Sequence, residues 1–591
     1  MRTLLLAFAL IVGCGSSTRP ADAGGPETDG GVLVPESCPG IALGGPGRLD
    51  LDVPLVRVSG RLTIDGAGLS ADAVARLVIE FEDEALGTRF LLDRRNVAPG
   101  GSYETAVPPG TYTIRYLGLL SCNDSTELPC NPGQLEIGAA LSSSGVLDLD
   151  LATAVLQVAV SAQGVPATRG VVSVAPVGTD RGAVDVPITA GLARARLLRG
   201  TYRVGYEHTI CGDPEPCGWH RLPDAIDLRS DGAVELTVPL IELVGTTTLD
   251  GAPTPLGLEL TLSQVGEGEL ALPLAAGRFL TRVVPGTYDV VARAPGETCR
   301  VGRALPCVPA PVLRGLTLTA SGALEIPITT IEVLGNARVG VPITRGRGAL
   351  VIQGEAGEGR TPPLADGGGA FGARVVVGSY AVRFDGDPAD CLGPPVELPC
   401  NDGVLVPTRH YAAGGVLDVA IPTVHVTGTA AGAASVWFAA EGDASGPVRV
   451  PVTGVAYAAT LLAGTYDVDW SSTPLGCALS RDVVCAQVRA LDAVRLETDG
   501  ALDVPAAPFD VVGTVQIAGL PPASGGETGL LVFAAREGRG LAHVPVGASG
   551  AYALALLEET YVVSYEPPES LCADPSRNGP CGVVIGEGCP R

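Results

Sequence analysis

A tripeptide of the Gly-Thr-Tyr kind recurs along this 591-residue chain at a step near 90 residues, and a repeat of that length limits the fold more than any other feature. The copies are Gly110-Thr111-Tyr112, Gly200-Thr201-Tyr202, Gly286-Thr287-Tyr288, Gly378-Ser379-Tyr380, Gly464-Thr465-Tyr466 and the degenerate Glu559-Thr560-Tyr561. Their tyrosines are 90, 86, 92, 86 and 95 residues apart. A second aromatic stands nine residues before that Tyr in five copies (Tyr103, Phe279, Phe371, Tyr457, Tyr552), and Ala193 takes its place in the second. A single hydrophobic core does not grow to this chain length, so the repeat implies a row of about six similar modules.

Local patterning supplies the elements. In Tyr112 to Tyr116 (YTIRY), Tyr202 to Tyr206 (YRVGY) and Tyr561 to Tyr565 (YVVSY), large residues alternate with others, as a strand with one buried face requires. The preceding Gly makes a turn, and 80 Gly with 49 Pro supply turns throughout. No segment after the N-terminus shows helical periodicity. A Gly opens the last strand of each complete module, at Gly145, Gly232, Gly322, Gly415 and Gly500, and the next module's first strand follows at once. The expected fold is all-β, a tandem array of antiparallel β-sandwiches of immunoglobulin-like or transthyretin-like kind. The modules span 55–151, 152–239, 240–328, 329–421, 422–505 and 506–591. Linkers this short imply a semi-rigid array.

The block from Gly101-Ser102-Tyr103 to Pro109-Gly110-Thr111-Tyr112 resembles the hairpin of carboxypeptidase regulatory-type modules, which are transthyretin-like sandwiches. Fibronectin type III modules share a similar turn. Collagen-adhesin B-type modules also look alike, but their amide cross-link needs Lys, and all 39 basic residues here are Arg.

Twelve of the fifteen Cys form six local pairs: Cys122 with Cys130, Cys211 with Cys217, Cys299 with Cys307, Cys391 with Cys400, Cys477 with Cys485, and Cys572 with Cys581. The second Cys precedes the strand-opening Gly by fifteen residues in all five complete modules. In an exported chain these are expected disulfides, each closing a loop worth about 2 to 3 kcal/mol. Each loop serves as a staple or, alternatively, as a rigid binding tip. In copy two, His208, Cys211, Cys217 and His220 are four potential zinc ligands; the other pairs lack His, so the reading is a disulfide with bystander His and no metal.

At the N-terminus, Met1-Arg2 is followed by an apolar run too short to span a bilayer and by Ile11-Val12-Gly13-Cys14. That string resembles the lipobox of bacterial lipoproteins, which implies a signal peptide at 1–13, a lipidated Cys14 and membrane attachment through that lipid. Gly15 as the second mature residue implies the outer membrane, with the chain facing the periplasm or the cell surface. Residues 14–37 read as a flexible tether.

No catalytic constellation emerges. The remaining His, at 410, 425 and 543, lack a nucleophile context, and no cofactor motif is present. Glu82-Asp83-Glu84 reads as a solvated acidic turn. An acidic column follows the strand-opening Gly by three residues (Asp148, Glu235, Glu325, Asp418, Asp503, with Asp50 matching after Gly47); it reads as a solvent-facing strand position, against a calcium-stiffened junction. A net charge of −25 argues against nucleic acid. The expected function is a non-enzymatic surface stalk, adhesin or envelope scaffold meeting an unidentified surface protein or polysaccharide. The alternative is a carbohydrate-binding or substrate-capturing lipoprotein in which Trp219, Trp437 and Trp470 stack on sugars.

The two ends of the chain complement each other. Residues 38–54 look like the segment that closes every complete module, yet no module precedes them, while module six lacks that strand. The N-terminal segment is therefore expected to complete module six and close the array into a ring or horseshoe with Cys38 bonded to Cys589; the alternative is a straight rod of six modules in which both Cys pair locally or between molecules.

Overall fold

The structure is a computed structural model that describes residues 41–566 and 582–583, apart from short stretches at 85–88, 120–121, 123–126, 179–181, 213–214, 265, 297, 341–342, 394–395, 442–445, 475–476, 478–482, 506, 518–520, 522–528 and 536–539. Cys14, Cys38, Cys572, Cys581 and Cys589 lie outside the described residues.

Module two shows the plan. Its opening strand Thr153–Ala162 turns Leu156, Val158 and Val160 inward and pairs antiparallel with Leu192–Leu198. A facing sheet sets Val171–Pro176 between Val184–Pro187 and the tyrosine strand Gly200–His208, which also carries Gly218–Arg221 and Ile226–Leu228. Alternation puts Val172, Val174, Tyr202, Val204 and Tyr206 on the inner side of that sheet, against Leu156, Val158, Ala195 and Leu197. The result is a two-sheet β-sandwich, repeated along the chain.

One pairing per module departs from the antiparallel expectation. The closing strand Gly232–Val238 lies parallel to the opening strand, with Leu156 opposite Gly232 and Ala162 opposite Val238. A parallel pair needs a long crossover, and here the rest of the module is that crossover. Both strands therefore run the same way, so the chain comes in at one end of the sheet and leaves at the other. The next opening strand starts within three residues: Leu149–Leu151 is followed by Thr153–Ala162, Gly232–Val238 by Ile241–Leu249, and Gly322–Ile328 by Thr330–Arg338.

Module six is completed from the other end of the chain. Gly47–Arg48 and Leu51–Val53 lie parallel to the opening strand Phe509–Ile517, with Gly47 opposite Val511 and Leu51 opposite Val515. The register is that of module one, where Gly145 faces Val58 and Leu149 faces Leu62. Ile41–Leu43 adds antiparallel to the tyrosine strand Glu559–Glu566. On the other side of this seam, Gly582–Val583 pairs with Phe90 and Arg89 of module one. Cys485–Leu496 of module five meets Leu541–Pro545 of module six in the same way, Ala486 facing Ala542 and Gln487 facing Leu541. Module six is thus followed in space by module one through a junction like that between modules five and six, and the six modules form a closed cycle.

Among the described residues, one short α-helix and two 3-10 turns, Leu364–Gly367 and Pro388–Cys391, depart from the all-strand expectation. Ala71–Arg76 is capped by Ser70, whose hydroxyl accepts from the Ala73 N–H, and Asp72 pairs with Arg76 one turn on. At six residues it is too short to display a period in the sequence.

Candidate functional site at the module junctions

The recurrent Tyr is buried in every module, at most 2% exposed, and its hydroxyl donates to the carbonyl four residues upstream at 2.5 to 3.1 Å. This ties the tyrosine strand to the strand before it across the Gly turn. Burial pushes the phenols of Tyr112, Tyr202, Tyr288, Tyr380 and Tyr561 above the ordinary value of 10.0, so they remain hydrogen-bond donors.

The second aromatic has an equally fixed task. Tyr103, Tyr457 and Tyr552 donate to the carbonyls of Leu147, Leu502 and Leu49, each two residues after the strand-opening Gly. The Tyr552 to Leu49 bond crosses the seam. Opposite the aromatic in the opening strand stands a Gly that sequence reasoning missed: Gly60 faces Tyr103, Gly245 Phe279, Gly335 Phe371, Gly428 Tyr457 and Gly513 Tyr552. A Cβ on Gly60, Gly335, Gly428 or Gly513 would overlap the carbonyl oxygen of Leu147, Leu417, Leu502 or Leu49. In module two both partners change together, with Val158 facing Ala193.

The acidic column is explained at the same place. Asp148, Asp418, Asp503 and Asp50 accept from the backbone N–H of Arg61, Asn336, Thr429 and Thr514, the residue after that Gly, at 2.7 to 3.1 Å. Thr429 and Thr514 add their hydroxyls. In modules one, four and six the closing strand is split at this point into two short pieces, whereas modules two and three, which carry Glu235 and Glu325, have it unbroken. The shorter side chain reaches a main-chain amide and bends the strand; these carboxylates are exposed, but they act on the backbone.

Five of the Cys pairs are disulfides: Cys122–Cys130, Cys211–Cys217, Cys299–Cys307, Cys391–Cys400 and Cys477–Cys485. Four of them pack into the core of the following module: Cys122 and Cys130 among the buried residues of module two, Cys211 and Cys217 of module three, Cys299 and Cys307 of module four, Cys391 and Cys400 of module five. The backbone N–H of the second Cys donates to a carbonyl of that module, Cys130 to Arg196, Cys217 to Arg282, Cys307 to Arg374 and Cys400 to Thr460, at 2.8 to 3.0 Å. Each acceptor lies six residues before the module's Gly-Thr-Tyr tyrosine. The described ends of these four stapled loops are therefore braces between modules.

Asn131 and Asn401, each following the second Cys, reach further. Their Oδ1 accepts from Leu198 or Leu462 N–H at 2.8 Å, and their Nδ2 donates to the Tyr202 or Tyr466 hydroxyl at 3.0 and 2.9 Å. On the other flank, Asp65 and Asp250 stand in Asp-Gly turns with positive φ at both residues. Each accepts from the N–H and the hydroxyl of the Thr that starts the next module, Thr153 or Thr330, at 2.6 to 2.8 Å, and pairs with Arg199 or Arg374. Burial raises both carboxyls, but the Thr bonds and the Arg charges outweigh it and hold them below 3.8.

The remaining candidates are absorbed into the scaffold. The Cys211–Cys217 disulfide uses both thiols that a zinc site needs, while His208 and His220 sit on adjacent strands of module two. Among the described residues no group of three or more His, Cys, Asp or Glu side chains is placed to hold a metal ion. Trp470 is buried in the module five core, Trp219 packs against the core of module three, and Trp437 is half-buried with its indole N–H on Ser435. Glu82-Asp83-Glu84 is not a solvated turn: Asp83 is buried, Glu82 pairs with Arg115 and Arg89, and Glu84 accepts from the Thr113 hydroxyl and Gly138 N–H. The cross-strand arginines draw the run into the sheet.

No protein-family model matches the chain, and no curated protein sequence matches it. Among solved structures it is similar to the Bacillus anthracis TIE protein, at 13% identity and a TM-score of 0.14, over 58% of this chain and 66% of that one, just under two thirds. A streptococcal ancillary pilin matches at 10% identity and a TM-score of 0.15, over 45% of this chain and 98% of that one. The minor pilin GBS52 of Streptococcus agalactiae matches at 12% and 0.18, over 33% and 100%. Likeness at TM-scores this low carries no weight for function.

Proposed function

We propose that this chain is a non-enzymatic, lipid-anchored surface scaffold whose six modules hold one another in a fixed cycle. The observation that carries it is the use made of the reactive side chains: disulfides, buried tyrosines and depressed carboxylates recur from module to module, each satisfied within its module or by a neighbouring one. Groups committed in this way brace a structure and are not poised to react. Cys14, behind its lipobox-like string, would tether the cycle to the outer membrane through residues 14–37. The test is fractionation of cells carrying Cys14→Ala. The expected result is an uncleaved precursor or release from the membrane fraction; a variant that is still processed and sediments with outer membrane refutes the anchor. A broad hydrolase screen of the soluble chain is expected to show no turnover.

A further inference from the structure

We propose that the groove of module six that receives the N-terminal strand also accepts that strand from a second copy of this chain, so that the seam closing one molecule can join two. The inference does not depend on the lipid anchor.

Five closing strands follow their own module within the chain, but the sixth reaches its acceptor from 464 residues away, as Asp50 does in meeting Thr514. Its binding determinants are concentrated and directional. Leu49 N–H donates to Val512 at 2.9 Å, Tyr552 donates to Leu49 at 2.6 Å, Asp50 takes the amide and hydroxyl of Thr514, and Gly513 leaves the room that the Leu49 carbonyl fills. Ile41–Leu43 adds three further pairings on Glu559–Glu566. None of these contacts requires donor and acceptor to belong to one chain.

The donor strand runs on through Pro54 and Leu55 into the opening strand Val56–Ile64 of module one. A strand supplied in trans therefore brings its own module one with it. The edge at Arg89 and Phe90 of that module then lies where Gly582–Val583 of the acceptor can pair with it, as it does within one chain. Both halves of the seam are met in trans with no new contact, so closure and exchange differ only in effective concentration. Vacating the groove would expose a strand edge, which favours filling it from either source.

Two full-length variants separate donor from acceptor. Gly513→Val blocks the groove but keeps the N-terminal strand. Leu49→Pro removes the strand's bond to Val512 but keeps the groove. Each alone is expected to be monomeric by light scattering, and an equimolar mixture is expected to give a 1:1 complex, because the intact strand of one enters the intact groove of the other. A mixture that stays monomeric, with both variants folded by circular dichroism, overturns the proposal. Should either variant fail to fold, two fluorescently labelled wild-type pools are unfolded, mixed and refolded at high concentration. Energy transfer that survives dilution supports exchange, and its absence overturns it.

Discussion

At the residue scale, each of the six recurrent tyrosines gives its hydroxyl to one carbonyl, which makes single-atom changes there informative. Tyr466 donates to Leu462 and receives Asn401, so it serves its own module and the preceding one. Tyr466→Phe removes both of these buried bonds, although Asn401 Nδ2 keeps its bond to the Asp402 carbonyl, and is expected to cost about 1 to 2 kcal/mol in denaturant unfolding. Tyr380→Phe removes a hydroxyl bond to Val376 within its own module and should fall at the low end of that range. Gly428→Val is expected to cost about 3 kcal/mol or more, since the new side chain meets the Leu502 carbonyl and Tyr457. Module two shows a compatible set in Val158, Ala193 and Glu235, so adding Tyr457→Ala and Asp503→Glu should recover part of the loss. The tyrosines were legible in the sequence because they fall at nearly constant steps. The glycines were not, because intervening loops vary and the spacing from Gly to aromatic runs from 29 residues (428 to 457) to 43 (60 to 103).

At the element scale, the stapled loop belongs to one module in sequence and to the next in packing. Cys391→Ser with Cys400→Ser should lower stability by about 2 to 3 kcal/mol from loop entropy alone. The diagnostic signal is its location: faster amide exchange is expected in module five, around Ala456–Leu462 and Gly464–Ser471, more than in module four where the cysteines reside. The Asp-Gly turns add a pH dependence. Asp65 and Asp250 are depressed in the folded state, so their contribution is complete above the ordinary value of 3.8 and is lost as pH falls through the lower folded value. Lowering the pH from about 5 to about 2 should therefore speed exchange at Thr153 and Thr330, and Asp65→Asn with Asp250→Asn should remove that response. Cysteine spacing revealed the local pairs, but nothing in it says which core a loop enters. That depends on the parallel closing strand, which delivers the chain to the far end of each module.

At the scale of the whole molecule, closure follows from a strand that precedes every module in sequence and completes the last one in space. The likeness of residues 48–54 (RLDLDVP) to 416–422 (VLDVAIP) made the segment legible as a closing strand. Its partner was deducible only by elimination, since strand pairing over such a separation leaves no local pattern. Six modules of ~30 Å in a rod would extend to ~180 Å, whereas the same contour bent into a cycle has a centre line about 60 Å across. Small-angle scattering of the chain from residue 38 onwards should therefore give a maximum dimension far below the rod's. A protease site inserted at Pro54-Leu55 sharpens the test. Before cleavage the profile should match the uncut chain. After cleavage the N-terminal strand should remain in module six, held by Tyr552, Thr514 and its ladder, while the severed link leaves modules six and one joined, among the described residues, by pairings such as Gly582–Val583 with Phe90 and Arg89. So short a ladder cannot by itself hold a ring against the entropy of opening, and the maximum dimension should rise towards the rod value. A profile unchanged by cleavage would place the strength of the seam in contacts other than this covalent passage, and a rod-like profile before cleavage would rule out the closed cycle.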